Sequence, residues 1–227
     1  MNDFLSEVIG GIVGGNHVEG SGSDALGQVT VRYGNIAGAR ANFIGVVHPA
    51  NAEELSAVVR KARERNLALL TLYNSSDVGA GLRGDGDCLV LDLSRMNRIL
   101  DVNSKYAFAR IEPGVSFAQL ARHLGQSNLP LMIDAERDPD ASVVGSIFSK
   151  GIGFTPYADH ALVQCGAEFV LRDGQLLRTG MGAMPESRTW QLYKFSLGPF
   201  SDGLAIQSPD LIPTQAIGQV QLLPGAN

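Results

Sequence analysis

The stretch His48–Tyr73, HPANAEELSAVVRKARERNLALLTLY, holds a helix and the strand after it, and its reading decides the fold. Pro49 carries no amide hydrogen and ends the short apolar run Phe43–Val47 that precedes it. Asn51 is a preferred helix cap, and Glu53 and Glu54 follow in the first turn, where the helix dipole favours negative charge. Leu55, Val58, Val59 and Ala62 then recur at helical spacing on one face. The pattern predicts an amphipathic helix closed by Lys/Arg and Asn66, leading into a buried strand at LALLTLY.

Downstream, NSSDVGAGLRGDGD (74–87) reads as a polar loop, CLVLDLSRM (88–96) as a strand, and YAFARIEPGV (106–115) as a half-buried strand. SFAQLARHLGQSN (116–128) is a second amphipathic helix, with Phe117, Leu120, Ala121 and Leu124 on its apolar face. Beyond Pro130 small residues and glycines dominate ASVVGSIFSKGIGFTPYADH (141–160). Two strands follow, joined at Arg172-Asp173-Gly174, a hairpin signal. A helix is predicted near Thr189–Tyr193 and a strand at AIGQVQLLP (216–224). Together these predict an α+β protein of two lobes, about 45–115 and 140–225, with mixed sheets flanked by helices. Residues 1–40 form a glycine-rich N-terminal extension. Loops 74–81 and 142–153 are expected to face each other across one cleft.

Composition removes several function classes. Eighteen basic against twenty-three acidic residues give a net charge of −5, without the positive field that nucleic acid or an anionic membrane requires. Cys88 and Cys165 are too few for a disulfide framework and read as small buried residues. The N-terminus has no basic region ahead of its apolar residues, so the expected location is cytoplasmic. His17, His48, His123 and His160 are scattered, which argues against a metal site. His160 reads as a turn histidine bonded to backbone, Glu112-Pro113-Gly114 as a turn, and Trp190 as a core anchor. No Gly-x-Ser-x-Gly elbow supports serine-hydrolase chemistry. Twenty-seven glycines mean many tight turns, or backbone that approaches something closely.

From about Val46 to Pro224 the order of phrases resembles the FAD-binding domain of the vanillyl-alcohol oxidase/p-cresol methylhydroxylase family. HPANAEELSAVVRKARERNLALLTLY, LVLDLSRMNRIL, ARIEPGVSFAQLARHL, GIGFTPYADH, QCGAEFVLRDGQLLRTGMG and TWQLYKFSLGP carry the resemblance, the last three towards its phenol-oxidising branch. It implies a PCMH-type FAD-binding domain over residues 41–227. It also implies cofactor contacts at Tyr73, Asn74, Ser75, Ser76, Asp77, Val78, Gly79 and Gly81, and at the turn Pro113-Gly114. A second set is Ser142, Val144, Gly145, Ser146, Ser149, Gly151 and Gly153, and a third Ile212 and Thr214.

Three departures bear on that cofactor. Ser75-Ser76-Asp77 stands where the family has Gly-Arg-Asn, placing a carboxylate where a diphosphate would lie. Ser146 replaces an asparagine, and Leu211-Ile212-Pro213-Thr214 replaces a Gly-Ile-x-Thr phrase. The family's substrate domain follows the region seen here, so no catalytic residue is assigned within 1–227. Two readings remain open. One is an FAD-binding module or subunit of an oxidoreductase acting on 4-alkylphenol-like substrates. The other is a flavin-free homologue serving as a structural or interaction subunit. Either implies a protein partner or second copy on an apolar surface, expected along Thr155–Tyr157 and Trp190–Phe200.

Overall fold

The structure, a computed structural model, describes residues 3–20, 22–25, 27–28, 41–73, 86–156, 159–184, 186–187, 189–190, 205, 208 and 210–222. Two sheets organise it. The first has the order β1-β2-β4-β3, with β1 (Val18–Glu19), β2 (Ala41–Val47), β3 (Ala68–Leu72) and β4 (Gly86–Asp92). β2 and β3 both run parallel to the central β4, while β1 adds an antiparallel edge. The second sheet is antiparallel throughout, in the order β5-β6-β10-β8-β9. Its strands are β5 (Ile99–Asn103), β6 (Phe108–Ile111), β8 (Gln164–Leu171), β9 (Leu176–Arg178) and β10 (Leu211–Gln219). A small pair joins β7 (Leu131–Met132) to β11 (Gln221–Leu222). The sheets divide in sequence between Asp92 and Ile99, so the stretch 45–115 contributes strands to both.

A short N-terminal helix α1 (Gly10–Val13) continues a π-helical segment, Phe4–Ile9. Phe4, Leu5, Ile9 and Val13 are buried, which packs this part of the N-terminal region into the main core. The helix expected after Pro49 is α2 (Ala52–Glu64). Asn51 Oδ1 accepts from Glu54 N at 2.9 Å, and Glu54 Oε2 accepts from Ala50 N at 2.9 Å. One helix amide and the amide just ahead of the cap are thus satisfied reciprocally. Leu55, Val58, Val59 and Ala62 are fully buried. Ser56 Oγ donates to Gly174 O at 2.5 Å, tying α2 to the β8–β9 hairpin. Gly174 has φ of +81°, and a Cβ there would strike Arg60 and the Ser56 carbonyl, so the turn and the contact both require glycine.

Helix α3 (Phe117–Gln126) forms where its spacing predicts, capped by Ser116. The strand expected at 216–224 instead begins at Leu211 and ends at Gln219. Pro213 is accommodated because the β10–β8 register shifts between Pro213 and Gln215. Of the helix expected at Thr189–Tyr193, residues 191–193 lie outside the described residues. Trp190 is buried with Phe108, Cys165 and Ile217, as a core anchor should be.

Candidate functional site

The segment 141–150 carries a helix that the sequence reading missed, α4 (Val143–Ser149). Ser142 Oγ caps it, accepting from Gly145 N at 2.8 Å while donating to Pro113 O at 2.5 Å. Val143 N donates to Val115 O at 3.0 Å, so the start of α4 is fastened to the turn at 113–115. That turn is fixed in its own right. Gly114 N reaches Met96 O at 2.7 Å, and a Cβ on Gly114 would press on three carbonyls at 2.8–2.9 Å. Glu112, buried, accepts from the Arg98 amide at 2.8 Å and from its guanidinium at 2.7 and 3.1 Å. The guanidinium–carboxylate pairing raises the Arg98 pKa further above its usual value.

Tyr73, the last described residue before the loop at 74–81, lays its ring on Gly145, where a Cβ would come within 2.8 Å of it. Tyr73, Pro113, Gly114, Ser142, Gly145 and Ser146 are thereby brought together. Asn74, Ser75, Ser76, Asp77, Val78, Gly79 and Gly81 lie outside the described residues, and with them one wall of the expected cleft. Val144 is wholly buried and belongs to the core, and Ser149 is exposed.

Beyond α4, three acidic side chains line the turn that follows. Asp134 accepts from Phe154 N at 2.9 Å, Thr155 N at 3.2 Å and Thr155 Oγ1 at 2.7 Å. Its carboxylate fills the space a Cβ on Gly153 would need. Ser146 Oγ is hydrogen-bonded to Glu136 Oε1, and both atoms occupy the space over Gly151. His160, 3% exposed, places Nδ1 2.7 Å from Ser146 Oγ, and Asp159 flanks it in sequence. His160 is therefore a side-chain partner of Ser146 as well as bonded to the Asp134 backbone, so the reading as a backbone-bonded turn residue holds in part. Burial lowers its pKa, against the opposing pull of Asp134, Glu136 and Asp159. The cluster Asp134–Glu136–Ser146–His160 has no local motif: its members are up to 26 residues apart and meet only when α4 turns back at Lys150, which is left-handed with φ of 60°.

Gly145, Gly151 and Gly153 are thus each required by a neighbouring side chain of the protein itself. Ile212 and Thr214 stand apart. Gly218 on β10 packs near Ile147 of α4, and Ile212 lies six residues earlier, roughly 20 Å along the strand. Ile212 lines a groove of about 640 Å³ with Val59, Arg63, Leu69, Leu171 and Asp210. Thr214 is buried and donates to Glu168 Oε1 at 2.7 Å.

On the outer side of the turn Ile152 and Phe154 are 73% and 77% exposed. Of the expected apolar surface, Thr155 is half-buried and Trp190 is buried, while 157 and 191–200 lie outside the described residues. Among the described residues no group of three or more His, Cys, Asp or Glu could hold a metal ion. Nor is any helix among them long and apolar enough to cross a membrane. Cys88 is inert by environment, burial pushing its thiol up to about 12.

A parallel β-α-β sheet joined to an antiparallel sheet, with a glycine-bearing turn at their junction, defines a two-sheet cofactor-binding domain. The chain belongs to the FAD binding domain family, which matches residues 43–180. It is 35% identical over 168 residues to the 4-cresol dehydrogenase [hydroxylating] flavoprotein subunit of Pseudomonas putida, covering 71% of this chain and 32% of that protein. It is 39% identical over 167 residues to the 1'-carboxy-chondrochloren decarboxylase of Chondromyces crocatus, covering 72% and 31%. The 4-ethylphenol oxidase of Gulosibacter chungangensis superposes with a TM-score of 0.87 at 33% identity, over 99% of this chain and 43% of that one. The chain thus spans about a third of the length of the curated relatives it matches. The fold is that of PCMH-type flavoproteins, and the cofactor of such a domain is FAD.

The residues present fit one part of that cofactor better than the other. Exposed Ile152 and Phe154 suit an uncharged planar ring. Asp134, Glu136 and Asp159 beside them would repel a diphosphate, which leaves the Tyr73 side of the junction for it.

Proposed function

We propose that this chain is the FAD-binding module of a flavin-dependent oxidoreductase acting on 4-alkylphenol-like substrates. The groups that hold and activate substrate would lie in the part of the relatives' length that this chain does not span. The observation that supports it most is the convergence of Tyr73, Pro113-Gly114 and Ser142–Ser146 at the junction of the two sheets. The loop 74–81 leaves from this point. When bound, the flavin supplies two-electron chemistry, accepting a hydride that protein side chains cannot accept.

The residues described do the remaining work of binding and orientation. Asp134 fixes the turn 153–155 through three donors, so that Ile152 and Phe154 are presented on a rigid backbone. Ser142 and Glu112 hold the opposite wall through contacts that leave their own polar groups engaged. Burial disfavours the charged form of His160, whose Nδ1 is hydrogen-bonded to Ser146 Oγ, and the Ser146 hydroxyl donates to Glu136. In this reading Ser149, Gly151 and Gly153 belong to the flavin end, and Ile212 and Thr214 to the far end of the nucleotide. A protein partner or second copy covering the exposed turn, and a cytoplasmic setting, are part of the same proposal.

Titration of the purified chain with FAD, followed by flavin absorbance and calorimetry, tests it. Near-stoichiometric binding is expected, without steady oxidation of 4-alkylphenols by the chain alone. A folded chain that takes up no FAD would favour the flavin-free reading instead.

A further inference from the structure

We propose that Glu136 is an internal stopper of the cofactor-facing wall: its carboxylate sits where a ligand must approach Ser146, and it has to leave for the ligand to seat. This rests on the reading of Ser146 as a residue that meets FAD. A serine hydroxyl has one proton to give and two lone pairs. Here the hydroxyl donates to Glu136 Oε1, and His160 Nδ1 stands 2.7 Å from the same oxygen, so its remaining hydrogen-bonding capacity is engaged as well. No donor is left for a carbonyl or ring nitrogen at the edge of an incoming flavin. The same carboxylate oxygen fills the space over Gly151, so the backbone there is closed to approach as well. Its negative charge, with Asp134 and Asp159 nearby and only the His160 ring within salt-bridge distance among the described residues, opposes an electron-rich ligand edge.

Glu136 is also placed to move. It lies in the irregular segment between β7 and α4, its side chain is 25% exposed, and Arg137–Asp140 beyond it are exposed. Rotation of one side chain into solvent would free the Ser146 hydroxyl, while Ser146 Oγ itself stays over Gly151. Binding then includes the loss of one charge-assisted hydrogen bond, and affinity is lower than the site could otherwise reach.

The test is FAD titration of the full chain carrying Glu136→Ala or Glu136→Gln, with thermal unfolding as the check on folding. E136A should tighten FAD binding about tenfold or more, the scale of one hydrogen bond to a charged group. E136Q, which keeps an acceptor but loses the charge, should tighten it by less. In a Ser146→Ala background the E136A substitution should have a clearly smaller effect, because the hydrogen-bonding seat is gone and only the charge and space terms remain. Unchanged or weaker binding by folded E136A overturns the stopper and leaves the FAD reading intact. If E136A does not fold, unchanged binding by E136Q has the same consequence. Absence of FAD binding in the wild type and both variants overturns the FAD reading and the stopper with it. Binding by E136A alone would support the stopper directly.

Discussion

An alanine methyl at Gly145 would lie 2.8 Å from Tyr73 Cδ2 and 3.1 Å from Ser142 Cβ. Neither can give way easily, since Tyr73 is buried and Ser142 is held by its cap and by Pro113. Gly145→Ala should therefore cost roughly 1–3 kcal/mol, read from urea unfolding. His160 gives a pH dependence with a definite sign. Its folded pKa is below the ordinary 6.5, so the unfolded chain takes up the proton first. The stability contributed by the neutral ring is complete above about pH 6.5 and declines as pH falls below it. Glu168 adds a second loss at lower pH. Burial pushes its pKa up, but hydrogen bonds from Arg178, Thr214 and Gln215 outweigh that and hold it below 4.5. Its contribution is present above about pH 4.5 and lost as pH falls through the lower folded value. Urea midpoints should drop between pH 7.5 and 5.5 in the wild type and drop less in His160→Gln; parallel curves would count against this account.

Among the elements, α2 shows how far local sequence decides structure. Its cap, first-turn acids and apolar face are all in place, and Asn51→Ala should cost about 1 kcal/mol in thermal or urea unfolding. Helix α4 shows the reverse. Val143 through Phe148 are all buried, so the segment has no polar face and no helical periodicity to read. The strands β8, β9 and β10 are cross-linked by Glu168, which accepts from Arg178 Nε at 2.6 Å, Thr214 Oγ1 at 2.7 Å and Gln215 Nε2 at 3.1 Å. Arg178 also stacks over the Trp190 ring at 5.2 Å. Arg178→Ala leaves a buried carboxylate without its cation. The expected loss is about 1.5–3 kcal/mol, beyond that of an exposed ion pair. Because Trp190 is the chain's single tryptophan, its fluorescence should shift in the same variant, and an unchanged spectrum would remove the stacking from the explanation.

Across the whole molecule one apolar core joins the two sheets. It runs from Phe4, Leu55 and Leu91 to Ile147, Phe169 and Ala216 without a break. Two sheets with a shared core should unfold together, giving one calorimetric transition whose van't Hoff and calorimetric enthalpies agree; two resolved transitions would refute it. The α+β class, α2, α3, the β8–β9 turn and the kinship with FAD-binding domains were legible in the residues alone. Each rests on a local cap, a period or a glycine at a turn, or on phrases of consecutive residues. The candidate site was legible only in outline. Ser142, Gly145 and Ser146 stand in one phrase, but what surrounds them does not. The partners Glu136 and His160 of Ser146, and the Asp134 clasp on Gly153 and Thr155, come from segments that no periodicity connects. The division of the strands between two sheets was equally out of reach, since hydrogen-bond pairing of β6 with β10 spans some hundred residues. Local sequence determines which segments are helix or strand, because caps, turns and periodicity act over a few residues. Which side chains share a wall, and whether a glycine faces a ligand or a neighbour of its own chain, is decided only when packing brings distant segments within a few ångströms.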